Sequence, residues 1–323
     1  MPLVDKPLPE LLKYEGRNPR PADFDAYWDA ALEEMRATDS QVELIRTKEI
    51  DPPHADCFDL WFTGVGGSRV HAKYLRPKKL ERPAPAILEF HGYSGNVGDW
   101  IGKLAWVSQG FAVAALDCRG QGGLSQDLAS ISGPTLRGHI IRGLSDPDPR
   151  KLAFRQMFLD TAQLARIVAA LDEVDAERIA ATGGSQGGAL TLACAALAPE
   201  VKKAAATFPF LCDYQRVWEM DQAQHAYEEL KTYFRQFDPR HEREVEIFTK
   251  LGYIDVQHLA PRIKGEVMMS VGLMDNICPP STQFAAYNKI TAPKHYVIYP
   301  DYGHEGLPGN SDLVFNFLST LLV

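Results

Sequence analysis

The segment Ile179-Ala180-Ala181-Thr182-Gly183-Gly184-Ser185-Gln186-Gly187-Gly188 constrains this chain more than any other. A short apolar run ends at two glycines, a serine follows, and after Gly188 the apolar pattern resumes with Ala189-Leu190-Thr191-Leu192. Read as strand, turn and helix, the glycines at 183 and 187 make a turn too tight for side chains two residues either side of the serine. Such a turn lifts the Ser185 hydroxyl clear of a sheet and aims a helix N-terminus at the reacting centre. Gly-x-Ser-x-Gly by itself arises often by chance. Between an apolar strand and a helix it is a strong signal of a nucleophilic serine.

The surrounding text supplies the sheet that such a turn requires. Short apolar runs at 86–90, 111–116, 179–182, 204–208, 267–271 and 296–299 alternate with helical patterns, including those near 100–107, 150–171 and 312–321. That alternation predicts an α/β chain with a mainly parallel sheet flanked by helices. Upstream, residues 42–50, 59–63 and 70–75 read as antiparallel strands, the last two joined by a turn at Gly64-Val65-Gly66-Gly67. The first 40 residues read as an extension, with Asp23 placed to cap a helix through Trp28 and Met35. Two segments break the alternation. Residues 125–149 are rich in Gly and Ser, contain His139-Ile140-Ile141-Arg142, and read as a hairpin insertion. Residues 215–263 read as a helical lid inserted between strands, one domain holding all of 1–323.

A serine hydroxyl needs a base that accepts its proton near neutral pH. In this strand order the base follows the serine, with the acid between them. Five histidines lie beyond Gly187: His225, His241, His258, His295 and His304. The first three fall in or near the helical insertion, and His295 begins the last strand. His304 follows that strand, at the carboxyl edge where sites form in α/β sheets, and is the expected base. Asp275, just past the preceding strand in Val271-Gly272-Leu273-Met274-Asp275, is the expected acid; Asp301 competes but shares the loop of the base. Donors for an oxyanion are expected from the backbone N–H of Gln186 and of Tyr93, the latter in His91-Gly92-Tyr93-Ser94-Gly95. His91 reads as a buried prop for that loop. A small acyl pocket is expected among Tyr93, Pro209 and Phe210.

Composition bounds the partners. Of 323 residues 45% are hydrophobic and 24% charged, and the net charge is −8, which argues against a nucleic-acid partner. There is no apolar leader at the N-terminus and no apolar stretch near the roughly 20 residues that span a bilayer, so no membrane partner is expected. The cysteines at 57, 118, 194, 212 and 278 form no Cys-x-x-Cys pair and read as reduced thiols of a cytoplasmic protein.

Three motifs together give a resemblance: Arg119-Gly120-Gln121, Gly183-Gly184-Ser185-Gln186-Gly187 and His304-Glu305. The chain resembles the acetyl xylan esterase and cephalosporin C deacetylase family, carbohydrate esterase family seven, within the α/β-hydrolase fold. The likeness extends through Tyr14-Glu15-Gly16-Arg17-Asn18-Pro19, Asp23-Phe24-Asp25-Ala26-Tyr27-Trp28 and Asp275-Asn276-Ile277-Cys278-Pro279-Pro280. It implies an esterase that removes acetyl groups from xylo-oligosaccharides and cephalosporin C through Ser185, Asp275 and His304, with no metal and no cofactor. It implies an intracellular homohexamer, assembled partly through an insertion matched by residues 133–143. Arg119, after the strand ending at Asp117, is expected to be structural. A general short-chain carboxylesterase and a prolyl-oligopeptidase-like peptidase remain the alternatives.

Overall fold

A computed structural model describes residues 4–133 and 138–323. Nine strands form one sheet: β1 (Glu43–Arg46), β2 (Ala55–Thr63), β3 (Arg69–Pro77), β4 (Ala84–Phe90), β5 (Ala112–Leu116), β6 (Val174–Gly184), β7 (Val201–Thr207), β8 (Glu266–Gly272) and β9 (Lys294–Tyr299), in the order β1-β2-β3-β5-β4-β6-β7-β8-β9. The first three strands and β5 pair antiparallel; every pair from β5 through β4 to β9 is parallel. The mixed α/β sheet is thus the expected one. The antiparallel strands are displaced from their expected bounds, β1 being a four-residue exposed edge and β2 longer than its apolar core suggests.

The helices are α1 (Leu8–Leu11), α2 (Phe24–Ala37), α3 (Leu104–Ser108), α4 (Ala153–Ala169), α5 (Gln186–Leu197), α6 (Tyr214–Glu219), α7 (Glu228–Phe237), α8 (Glu244–Leu251), α9 (Val256–Leu259), α10 (Pro280–Lys289) and α11 (Asn310–Ser319). Parallel strands bury both faces, and the clusters show it. Ala86 and Leu88 of β4 pack with residues of α4 and α5, whereas Ile87 between them packs with Phe111 and with Val314 and Leu318 of α11. Ile179 and Ala181 of β6 share the first face, and Ala180 the second. α5 is buried almost throughout, which explains its uniformly apolar text without a polar face. No helix of the described residues is long and apolar enough to cross a membrane.

The N-terminal extension is tied down rather than loose. α2 buries Phe24, Trp28, Ala31, Leu32 and Met35. Asp23 precedes α2 but does not cap it with its side chain; Asp23 Oδ1 accepts from the Tyr253 hydroxyl at 2.5 Å instead. Tyr14 and the backbone of Arg17 and Asn18 converge on the buried Asp213 carboxylate. Residues 215–263 are largely helical and lie between β7 and β8.

The hairpin expected within 125–149 is a correction. Among the described residues there is no strand between β5 and β6; the segment is loop and turn, and 134–137 lie outside the described residues. The two isoleucines at 140 and 141 are both buried, which a half-exposed strand does not allow for neighbours. The Ile141 N–H has no strand to pair with; it donates to the Glu229 carboxylate at 3.0 Å.

Candidate active site

Every residue of the expected constellation follows the carboxyl end of a strand. Ser185 lies between β6 and α5, Phe208 to Phe210 after β7, Asp275 after β8 and His304 after β9. These four strands are adjacent and parallel, so their ends open on one edge of the sheet.

The turn at Ser185 is strained, and the glycines are the reason it can form. Ser185 has φ 58° and ψ −120°, a region that costs a non-glycine residue on the order of 1–3 kcal/mol. The turn is held by Ser185 N–H donating to Thr207 O at 3.0 Å, and by Phe210 and Ala189 N–H donating to Ser185 O at 3.0 and 3.1 Å. A Cβ on Gly187 would lie 2.0 Å from Phe90 O, and one on Gly183 would lie 2.6 Å from the same atom. The backbone of β4 therefore passes too close for alanine at either position.

The hydroxyl Oγ of Ser185 is 2.9 Å from His304 Nε2, and His304 Nδ1 is 2.8 Å from Asp275 Oδ2. Asp275 is fully buried, and its other oxygen accepts the N–H groups of Ile277 and Cys278 at 2.9 and 2.8 Å. With Oδ1 so occupied, Oδ2 faces the imidazole and directs its proton to Nδ1, leaving Nε2 to accept from the serine. The two supporting loops are joined, since Met274 N–H donates to Tyr302 O at 3.0 Å. Phe208 packs against His304, ring centroids 4.4 Å apart. Asp301, the competing carboxylate, is exposed.

Gln186 opens α5, so its N–H belongs to the first turn, whose N–H groups have no acceptor within the helix. Its side chain reaches the opposite way. Gln186 and Gln121 exchange both amide hydrogen bonds, at 2.8 and 3.0 Å. This pair bridges the serine turn to the Arg119-Gly120-Gln121 loop, which in turn donates Gly122 N–H to Gly95 O at 2.9 Å. The loop carrying Tyr93 is thereby fixed against α5. His91 props it: Cys118 N–H donates to Nε2 at 3.0 Å and Nδ1–H to Gly92 O at 2.7 Å, and burial pushes the imidazole pKa down, so the ring is neutral. Arg119 is buried and paired with Asp160 through Nε at 2.6 Å, a structural position as expected.

Of the three residues expected to form an acyl pocket, Phe210 is tied to the serine turn through its N–H, which donates to Ser185 O. Phe210 is buried, meets Tyr93 edge-on at 5.6 Å between centroids, and touches Tyr227 of the helical insertion at 4.3 Å. Pro209 lies over the start of α5: a Cβ on Gly188 would stand 3.1 Å from its Cα.

Three residues here escaped sequence reasoning. Gln121 carried only a motif match, with no local sign of its partner. Cys278 lies beside the site, its N–H donating to Asp275 Oδ1 and its thiol pushed well above the usual thiol range, chiefly by burial. Glu229 on α7 accepts from the Tyr93 hydroxyl. Asp275, Cys278 and His304 also offer metal-ligating atoms within 4.8 Å of one another. A cation drawing on Asp275 Oδ2 and His304 Nδ1 would break the hydrogen bond between them, so the two residues read as the hydrogen-bonded pair that orients the imidazole towards Ser185.

The Gln121–Gln186 pair carries a prediction. Gln121→Ala leaves a buried amide half-satisfied, a cost of about 1–3 kcal/mol, and loosens the Tyr93 loop. It is expected to lower kcat for 4-nitrophenyl acetate roughly tenfold with KM little changed. Steady-state kinetics and urea unfolding check both; unchanged kcat would show that the pair serves stability only.

Comparison with known proteins places the chain in a family. An acetyl esterase of Xylanibacter ruminicola is 28% identical over 303 residues, which are 92% of this chain and 66% of that protein. The chain thus matches just under two thirds of the length of that curated relative. Among solved structures, acetyl xylan esterase 1 from a Thermoanaerobacterium species is 56% identical, covering 99% of this chain and 100% of that one, with a TM-score of 0.97. An acetyl xylan esterase from a Paenibacillus species is 37% identical over 98% and 99% of the two chains, with a TM-score of 0.93. The fold of the chain is that of the α/β-hydrolases, and, with the acetyl xylan esterase family model matching residues 1–321, the chain belongs to the acetyl xylan esterase family.

Proposed function

We propose that this protein is a serine esterase that removes acetyl groups from small acetylated carbohydrates, xylo-oligosaccharides foremost, by way of an acetyl-enzyme. The observation that carries the reading is the chain of contacts Ser185–His304–Asp275, at 2.9 and 2.8 Å. Nε2 of His304 takes the hydroxyl proton as Ser185 Oγ attacks the acetyl carbonyl carbon. Asp275 stabilises the imidazolium that forms. The carbonyl oxygen becomes an oxyanion held by the N–H groups of Tyr93 and Gln186. The imidazolium gives its proton to the departing sugar oxygen, and the ester bond breaks. Water then attacks the acetyl-enzyme by the same steps in reverse, with His304 as base, releasing acetate and restoring the serine.

Acetyl preference would come from a short acyl pocket closed by Tyr93, Pro209 and Phe210. An apolar pocket discriminates by about 1–3 kcal/mol per methylene, so a closed end is felt strongly by butyrate. In Phe210→Ala the ratio of butyrate to acetate kcat/KM is expected to rise about tenfold or more. An unchanged ratio in that variant, measured with 4-nitrophenyl esters, would place the acyl wall elsewhere. On the same family likeness we read the enzyme as a cytoplasmic homohexamer that also takes cephalosporin C.

The test of the reading is acetate release from acetylated xylo-oligosaccharides. Sustained release with an unmodified sugar chain as co-product is expected; hydrolysis of simple aryl acetates with no release from the oligosaccharide would point to a general short-chain carboxylesterase.

A further inference from the structure

The helical insertion places one carboxylate where a leucine would have packed more cheaply. Glu229 stands in the first turn of α7, is 6% exposed, and has Leu230, Tyr233 and Phe234 as buried neighbours. Among the described residues it makes no salt bridge. Burying an unpaired carboxylate is costly, and replacing it with an apolar side chain is often neutral or stabilising. Its retention calls for an explanation in what it holds.

Both oxygens are engaged. Oε1 accepts from the Tyr93 hydroxyl at 2.5 Å, and Oε2 accepts from Ile141 N–H at 3.0 Å. The N–H groups of His139 and Ile140 also turn towards the carboxylate. The Tyr93 hydroxyl in turn accepts from His139 N–H at 3.1 Å, closing a ring of helix, tyrosine and loop. The loop can come so close because residue 138 is glycine: Gly138 has φ +132°, and a Cβ there would lie 2.1 Å from Glu229 Oε2. Tyr93 and Glu229 both line a cavity of about 590 Å³, together with Ser94, His225, Glu228 and Thr232. The tyrosine that offers its backbone N–H to the reacting carbonyl therefore has its side chain moored to the helical insertion.

We propose that Glu229 is a positioning residue, whose carboxylate, seated in the 139–141 backbone, holds the Tyr93 phenol and so fixes the oxyanion loop and the wall of the adjoining cavity. The inference rests on the esterase reading above. It makes the insertion part of the reacting centre: whatever displaces α7 displaces the Tyr93 N–H.

The experiment is a double-mutant cycle on the full chain, Glu229→Gln and Tyr93→Phe, read by 4-nitrophenyl acetate kinetics and by amide hydrogen exchange of residues 91–95. Tyr93→Phe keeps the backbone N–H and the ring and removes the hydroxyl that binds Glu229 and His139 N–H. Each single variant is expected to lose about tenfold in kcat with KM nearly unchanged, and the double variant no more than either single. Exchange in 91–95 is expected to quicken in all three. Independent losses that multiply to about a hundredfold, an unaltered kcat in Glu229→Gln, or unaltered exchange in 91–95 each overturn the proposal. If Glu229→Gln fails to fold, Tyr93→Phe alone decides it, by the same kcat loss and exchange change or their absence. Ser185→Ala, run alongside, reports separately on the esterase reading, and the exchange data stand whatever that variant does.

Discussion

Ser185→Ala is expected to lower kcat for acetate esters by about 10⁴–10⁶-fold with the fold intact. The substitution deletes one oxygen of a half-buried residue and leaves the strained turn, held by three backbone hydrogen bonds, in place. Alanine at φ 58° bears the same backbone strain as serine, so unfolding free energy should change little. What disappears is the atom that His304 Nε2 faces at 2.9 Å. The residue left over is catalysis by the oxyanion donors and by binding alone. Steady-state rates with a thermal melt check it: a melt like the wild type's with near wild-type turnover would remove Ser185 from the chemistry.

Asp275→Asn is the second large effect, about 10⁴-fold in kcat. Its cause can be followed atom by atom. Oδ1 receives two N–H groups, from Ile277 and Cys278, so the acceptor oxygen of an asparagine amide must settle there. The NH₂ group then occupies the place of Oδ2 and points at His304 Nδ1. A donor facing Nδ1 forces the imidazole proton onto Nε2, where it faces the serine hydroxyl as a donor. The base is present but in the wrong tautomer. The loss should therefore fall on kcat and recede towards high pH, where hydroxide or an ionised group can substitute for the base. An Asp275→Asn variant within tenfold of wild type at neutral pH would assign the orienting role to another group.

The parts of this site that sequence revealed are those with a local signature. Ser185 is flanked by glycines that a tight strand-to-helix turn demands. Asp275 and His304 each follow an apolar run by a few residues, so the alternation of runs places them on one sheet edge without any knowledge of packing. Gln121, Cys278 and Glu229 have no such signature. Their roles come from partners far away in the chain, Gln186 for Gln121 and Tyr93 for Glu229, and nothing in the periodicity of α7 distinguishes a carboxylate that turns inward from one that is solvated. The misread hairpin has the same origin. A His-Ile-Ile-Arg tetrad suggests a strand, but a strand needs a partner ladder, and here the Ile141 N–H goes to the Glu229 carboxylate and the His139 N–H to the Tyr93 hydroxyl, while both isoleucines enter the core. Asp23 shows the point in miniature: its position suits a cap, yet the Tyr253 hydroxyl reaches its carboxylate first.

The reading stands or falls most directly on the acyl-chain profile of the wild-type protein: initial rates on 4-nitrophenyl acetate, butyrate and octanoate, with Ser185→Ala as the control. A steep fall from acetate to octanoate, abolished throughout by the substitution, is the result expected of a deacetylase with a short acyl pocket and Ser185 as nucleophile. Equal or rising rates with chain length, or a profile that survives in Ser185→Ala, would contradict it.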